Sequence, residues 1–356
     1  MSQSEFRADM QRGFSILPLE LFLNVLDQLV GTRDGQQPVA YELSNIITKT
    51  LQALTLVSRN TYLITTRYLY SYCLYLDSCT TFARFRRTLG LSLGEHHPQA
   101  LDYGKPGRDE KLFAEAQVLR NITSIFISPS EVRRLIQGNY TPLVRLPQII
   151  DLCNLIGPSL KRLALDLSPI YATPSEVERI RPHVTENNVF AHMVQLEELI
   201  ISYDAINYFR HPPPKLKRLA ITTQELTDLE VAFCLKIPSL QTLVMMRPVD
   251  LAAEDIDIIF RSYNGKRLDT ILVDVNSNHR TPNGTRNWKD EDAVRIWEAD
   301  VPVSFYGDED ELVLCDDWIW THGVKGSLWS QEKRRMLSWE EVERRLAGPV
   351  HTIVDV

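Results

Sequence analysis

The densest set of potential cation ligands in the chain is Asp308, Glu309, Asp310 and Asp316, in a stretch with no basic residue between Asp300 and Asp317. Carboxylates at this density suit a hard divalent ion, which takes roughly six to eight oxygen ligands. The calcium-loop spacing is absent, however, and no glycine stands at its turn position. The stretch reads first as an acidic, solvated loop and second as a docking place for a basic peptide. His96 and His97 are adjacent, so on a regular element they point apart and cannot form a metal-binding pair one helical turn apart. The five cysteines, Cys73, Cys79, Cys153, Cys234 and Cys315, are odd in number and irregularly spaced, without a C-x-x-C. They read as reduced, mostly buried thiols, not as a zinc site or a disulfide framework. G-x-S-x-G, P-loop, dinucleotide and H-E-x-x-H patterns are all missing. Nothing places a nucleophile beside a base, so the expectation is a non-catalytic protein with no cofactor and no metal.

The elements around these residues set a broader frame. A chain of 356 residues is consistent with about two domains. Its 44% apolar and 24% charged residues suit a globular protein with a real core. The net charge of −7 disfavours nucleic acid and anionic membranes as partners, because both need a basic surface. The N-terminus carries no apolar signal core, and no run reaches spanning length, so an intracellular location in cytoplasm or nucleus is expected. All six tryptophans lie at Trp288 or later, and the same last fifth carries the excess acid. That segment is expected to be a cap or a separate subdomain.

Residues 14 to 30, FSILPLELFLNVLDQLV, predict a helix. Pro18 fits its first turn, where a missing N–H costs nothing, and Glu20 suits the positive helix end. Leu21, Val25, Leu26 and Leu29 share one face, but Leu19, Phe22 and Leu23 point elsewhere. A helix apolar on several sides must be buried on several sides. A loop follows, then VAYELSNIITKT as a short helix, and a second short helix carrying Leu51, Leu54 and Val57. Ser58 is placed to cap the next helix, with its body over 61–70, and CLYLD reads as a strand.

The order L-P-x-E-L, apolar helix, L-x-x-L-x-x-V-S-R, then L-Y and a strand resembles an F-box over residues 14–76. The matching residues are Leu17, Pro18, Glu20, Leu21, Val25, Leu26 and Leu29, then Leu51, Leu54, Val57, Ser58 and Arg59. Residues 30–50 form a longer linker than the family uses, and Tyr62 stands near a common tryptophan position. The resemblance implies a three-helix unit docking on a Skp-type adaptor, which joins a cullin–RING ubiquitin ligase. It assigns the adaptor contact to Leu17, Pro18, Glu20, Leu21, Val25, Leu26, Leu54 and Val57. The same apolar residues could instead be the core of an N-terminal helical cap.

The centre of the chain repeats. The template L-x-x-L-x-L is filled by Ile122, Ile125, Ile127; Leu160, Leu163, Leu165; Leu196, Leu199, Ile201; Leu216, Leu219, Ile221; Leu240, Leu243, Met245; and Leu268, Ile271, Val273. A polar step follows at Ser130, Ser168, Asp204, Gln224 and Asn276, with Pro248 the exception; a later apolar step falls at Val132, Ile170, Ile206 and Leu226. The series resembles a degenerate leucine-rich-repeat array. The first two repeats are longer and leave room for helical segments such as VRRLIQ and LPQIIDLCNLIG. Such repeats each supply one short parallel strand lining a concave face.

Alternation along those strands sends Phe126, Ala164, Ile200, Ala220, Val244 and Leu272 outward as an apolar stripe. Beside it runs a mixed row of Ser124, Arg162, Glu198, Arg218, Thr242 and Thr270. A stripe of this kind does not stay bare. Either the Trp-rich C-terminal segment covers it, or it receives a partner through Phe126, Ile200, Val244 and Leu272, with Arg162, Glu198 and Arg218 matching charge. In the C-terminal segment, Val301, Val303 and Phe305 alternate, as do Trp318 and Trp320, so both predict strands, and the tryptophans are expected to seal the end of the repeats.

The expected fold class is α/β: a three-helix F-box-like unit, then an irregular leucine-rich-repeat-like solenoid with a Trp-rich cap. The expected divisions are a disordered 1–13, a helical domain at 14–76, a connector at 77–118, repeats at 119–300 and an acidic cap at 301–356. The resemblance, to F-box proteins of fungal type, implies a substrate-recognition subunit of an SCF-type ligase acting on a target protein. The alternative is a leucine-rich-repeat interaction scaffold without a ligase role.

Overall fold

The computed structural model describes residues 18–31, 37–91, 117–130, 144, 146–167, 189–223, 226–247, 253–275, 291–301 and 315–335. Leu17, His96, His97, Ser168, Gln224, Pro248, Asn276 and the Asp308–Asp310 run lie outside them, as do VRRLIQ and the expected Val303 and Phe305 strand.

Three helices open the described chain: α1 (Leu19–Leu29), α2 (Ile46–Thr55) and α3 (Arg59–Tyr72). Their ends are set locally. Asn45 caps α2 by accepting from the Ile47 N–H at 2.9 Å. Ser58 and Thr61 form a reciprocal capping box at the start of α3, which holds two N–H groups that the helix itself cannot satisfy. Phe22, Leu26, Val30, Leu51 and Cys73 make the small core of this unit.

Strand β1 (Tyr75–Ser78) leads into α4 (Cys79–Thr88), inside the stretch expected as a connector. A short α5 (Val118–Asn121) follows, then β2 (Ser124–Ser130), α6 (Leu146–Ile156), β3 (Arg162–Leu165), β4 (Glu198–Ser202), α7 (Tyr203–Tyr208) and β5 (Arg218–Thr222). The series continues with α8 (Asp228–Cys234), β6 (Thr242–Met246), α9 (Ala253–Ser262), β7 (Leu268–Val275), β8 (Val294–Val301), α10 (Cys315–Val324) and β9 (Arg334–Arg335). The nine strands pair in sequence order. The first eight are parallel, and β9 runs antiparallel to β8. Parallel neighbours need a crossover between them, and α4 to α9 lie in such crossovers between β1 and β7. The fold is therefore α/β.

All six repeat segments form strands, β2 to β7. Their register follows the template through β6: Leu163 pairs with Leu199, Leu199 with Leu219, and Leu219 with Leu243. These side chains pack with Ile149, Leu152, Cys153, Phe190, Phe209, Phe233 and Ile259 in one core between sheet and helices. At β7 the register slips by one residue, so Leu243 faces Thr270 and Val244 faces Ile271. A slip of one reverses every side chain. Leu272, expected on the concave face, joins the helix-side core, while Ile271 and Val273 take the concave side. Leu268 to Val273 is apolar at both parities, which is why alternation alone misplaced it.

Two further elements depart from expectation. The segment with Trp318 and Trp320 is a helix, α10, not a strand. Two aromatics two residues apart are too few to set a period, and Asp316 and Asp317 in the first turn favour a helix start. The strand before it, β8, ends at Val301, where the sequence suggested one beginning.

Burial pushes the Cys73 thiol up to about 11 and the Cys153 thiol up to about 12. The thiolate is the reactive form. In the native protein at pH 8, iodoacetamide should therefore modify half-buried Cys315 first, with Cys153 and Cys234 reacting only on unfolding; mass spectrometry of the labelled peptides checks the order.

Candidate functional site

Two surfaces compete as the working face of the molecule: the outside of the helical unit and the concave side of the sheet. On the helical unit, α1 turns Phe22 and Leu26 inward against Leu51 and Cys73, with Leu54, Ile64, Tyr68 and Leu69 packed around them. Tyr68 donates to Asp27 at 2.6 Å, tying α3 to α1. Burial and that carboxylate push the Tyr68 phenol well above its usual range. The opposite side of α1 stays in water. Leu21 is 50% exposed and Val25, one turn on, 54%, while at the end of α2 Leu56 is 87% and Val57 44% exposed. Pro18 and Glu20 are exposed as well. Of the positions the F-box resemblance assigned to an adaptor, Leu26 is fully buried and cannot touch another chain, and Leu54 is half-buried. Among the described residues, most large exposed apolar side chains fall between Leu19 and Val57.

The concave side is the reverse case. Phe126, Ala164, Ile200, Ala220 and Val244 do form a row, which Ile271 and Val273 extend, but every one of them is buried. Trp318, Ile319 and Val324 of α10 cover the row, with Leu328 from the turn beyond it. A β-carbon at Gly323 would stand 2.8 Å from Ile200 Cδ1. Glycine inside a helix costs about 1 kcal/mol relative to alanine, and here it lets the helix settle on the sheet. Trp320 reaches Phe126, with ring centroids 6.4 Å apart. Trp318 and Trp320 thus cover the face of the sheet instead of its end.

The remaining cover comes from the long linker after α1. Val39 and Ala40 are buried in the same cluster. The Val39 N–H donates to Val324 O at 2.8 Å, and Ser124 Oγ donates to Val39 O. Arg162 Nη1 donates to Gln37 O at 3.0 Å. No repeat or capping signal marked this segment. The available clue was the apolar P-V-A-Y lying between polar GTRDGQQ and ELSN.

The charged row is used by the chain itself. Arg162 and Glu198 are not free to match a partner's charge. Arg162 holds the linker, and buried Glu198 lies 3.5 Å from Arg218 Nη1. Burial pushes the Glu198 carboxyl up, partly offset by the Trp329 indole and by the Arg162 and Arg218 guanidiniums. Arg218 remains exposed, with its guanidinium 5.9 Å from the Trp329 ring centre. After the slip the row continues with Asp269, which Arg295 Nε meets at 2.6 Å, while Thr270 turns into the helix-side layer. At the other end of the strands, Arg247 and Glu298 pair at 2.9 Å, both buried. Arg334 joins them, 3.8 Å from Glu298 and 2.7 Å from Asp300.

Among the described residues, no three His, Cys, Asp or Glu side chains converge to hold a metal, and no helix is long and apolar enough to cross a membrane. Comparison with family models, with curated proteins and with solved structures gives no match.

Ile200→Asp or Val244→Asp should destabilise the fold by about 3 kcal/mol or more, because each places an unpaired charge in the core; a lowered midpoint in urea, followed by circular dichroism, checks this. Glu298→Ala should cost about 3–5 kcal/mol by leaving the Arg247 charge without its carboxylate, checked in the same way.

Proposed function

We propose that this chain is the substrate-recognition subunit of a cullin–RING ubiquitin ligase, docking a Skp-type adaptor through the outer face of its helical unit. One observation carries the reading: Leu21, Val25 and Val57, three positions of the F-box-like motif, stay exposed although the unit around them is packed. Their exposure is 50%, 54% and 44%. Exposed apolar residues grouped on one small unit mark an interaction site. The sheet's own apolar face is consumed internally, so it does not compete for a partner.

On this reading the β2–β7 series is a degenerate leucine-rich-repeat array. Its support is six template matches that become six consecutive parallel strands. The target protein binds outside the buried stripe, where the rim still offers Arg218.

A second reading, a repeat scaffold whose helices only close the first strand, has its own support. Ser71 Oγ donates to Asn121 O at 2.6 Å, and Phe126 N–H donates to Leu74 O at 2.9 Å, so the helical unit is bonded to the start of the sheet. The two readings part at the adaptor. If the first holds, purified chain captures a Skp-type adaptor, and Leu21→Asp plus Val25→Asp weakens capture by about 30-fold or more, the scale of losing one strong apolar anchor. Both substitutions sit on the exposed side, so the melting temperature should barely move. No capture by wild type, or capture unchanged in the double variant, favours the scaffold.

A further inference from the structure

The long linker between α1 and α2 does more than connect them. A loop between two surface helices normally runs in water. Gln37 to Tyr41 instead bonds to five separate elements. Val39 N–H donates to Val324 O at 2.8 Å, at the end of α10, and Ser124 of β2 donates to Val39 O. Arg162 of β3 donates to Gln37 O at 3.0 Å. Tyr41 N–H donates to Tyr72 O at 2.8 Å, at the end of α3, and Tyr41 Oη donates to Val30 O at 2.9 Å, just past α1. Each partner is fixed by packing of its own, so the strap lies between three bodies: helical unit, sheet and C-terminal cap.

The contact with the cap admits no side chain. Gly326, in the turn after α10, has φ +76°, and a β-carbon there would overlap Gln37 O and stand 3.0 Å from Pro38 N. Val39 and Ala40 occupy part of the same buried cluster as Trp318, Ile319 and Val324. The cap therefore closes on the strap as well as on the sheet, and the strap in turn holds the C-terminal ends of α1 and α3.

We infer that Gln37–Tyr41 is a clasp that couples the helical unit to the C-terminal cap, so that loosening the cap loosens α1, and the reverse. Coupling between two sites is reciprocal, so a ligand seated on α1 also steadies α10. The inference rests on the strap alone and does not need an adaptor.

Hydrogen exchange on the full chain, read by mass spectrometry, tests it. Gly326→Ala forces the turn off the strap. Exchange should rise about tenfold or more in the peptides covering residues 19–31 and 315–324, while β4 to β6 keep their protection. If Gly326→Ala speeds exchange in β4 to β6 too, Ser124→Ala decides, since it removes only one donor to the strap. It should produce the same pattern at smaller amplitude. In whichever variant decides, faster exchange in the strap or cap with α1 unchanged would overturn the clasp.

Discussion

The rest of the molecule depends on how one apolar row is kept from water. A stack of parallel strands with helices on one side leaves its other side bare, and here that side carries Phe126, Ala164, Ile200, Ala220, Val244, Ile271 and Val273. Burial of a large aliphatic side chain is worth about 1.5–3 kcal/mol, so a row of them left exposed would be a liability in the free chain. Two distant segments remove it, the strap after α1 and the helix α10. Neither could be placed without the other, because Val39 bonds to Val324 and Gly326 lies against Gln37. Two segments far apart in sequence are thereby closed onto the strands between them.

That closure redistributes what is available to partners. Arg162 and Glu198, which look like recognition residues on an open concave face, become internal: Arg162 bonds the strap and Glu198 lies buried beside Arg218. Glu198 keeps a raised carboxyl because burial outweighs its two arginine neighbours. Among the described residues, most of the large apolar side chains left exposed are on the helical unit, where α1 has more leucine than its own core can use. Leu26 goes inward to meet Leu51, while Leu21 and Val25 do not. An F-box-like role is proposed on that division.

Much of the fold was legible in the sequence. The α/β class followed from the repeat, and all six repeat strands form, because L-x-L pairs at strand spacing are a strong local signal. Ser58 as a helix cap and Cys153 as core were equally local and proved right. The failures share a cause. Alternation puts Leu272 on the wrong face because both parities of β7 are apolar, and register there is set by the neighbouring strand. For Trp318, two residues of alternation suggest a strand where the chain forms a helix. The strap carried no periodic or capping signal, since a buried loop is defined only by what it lies against. Of the adaptor positions, the motif could not distinguish Leu26 from Leu21, because the resemblance names residues and the packing of α1 on α3 decides which way they turn.

The central claim is that the concave face is closed by the chain's own strap and cap, and the Val39 amide reports on both. In the free wild-type protein its N–H is held by Val324 O at 2.8 Å beneath buried side chains. Native-state hydrogen exchange of that single amide, followed by NMR, should show protection within about a factor of ten of the β4 to β6 amides, since it opens only when the cap lifts. Exchange at the rate of an unstructured peptide would mean that the face stands open, and the account of a sealed stripe would be wrong.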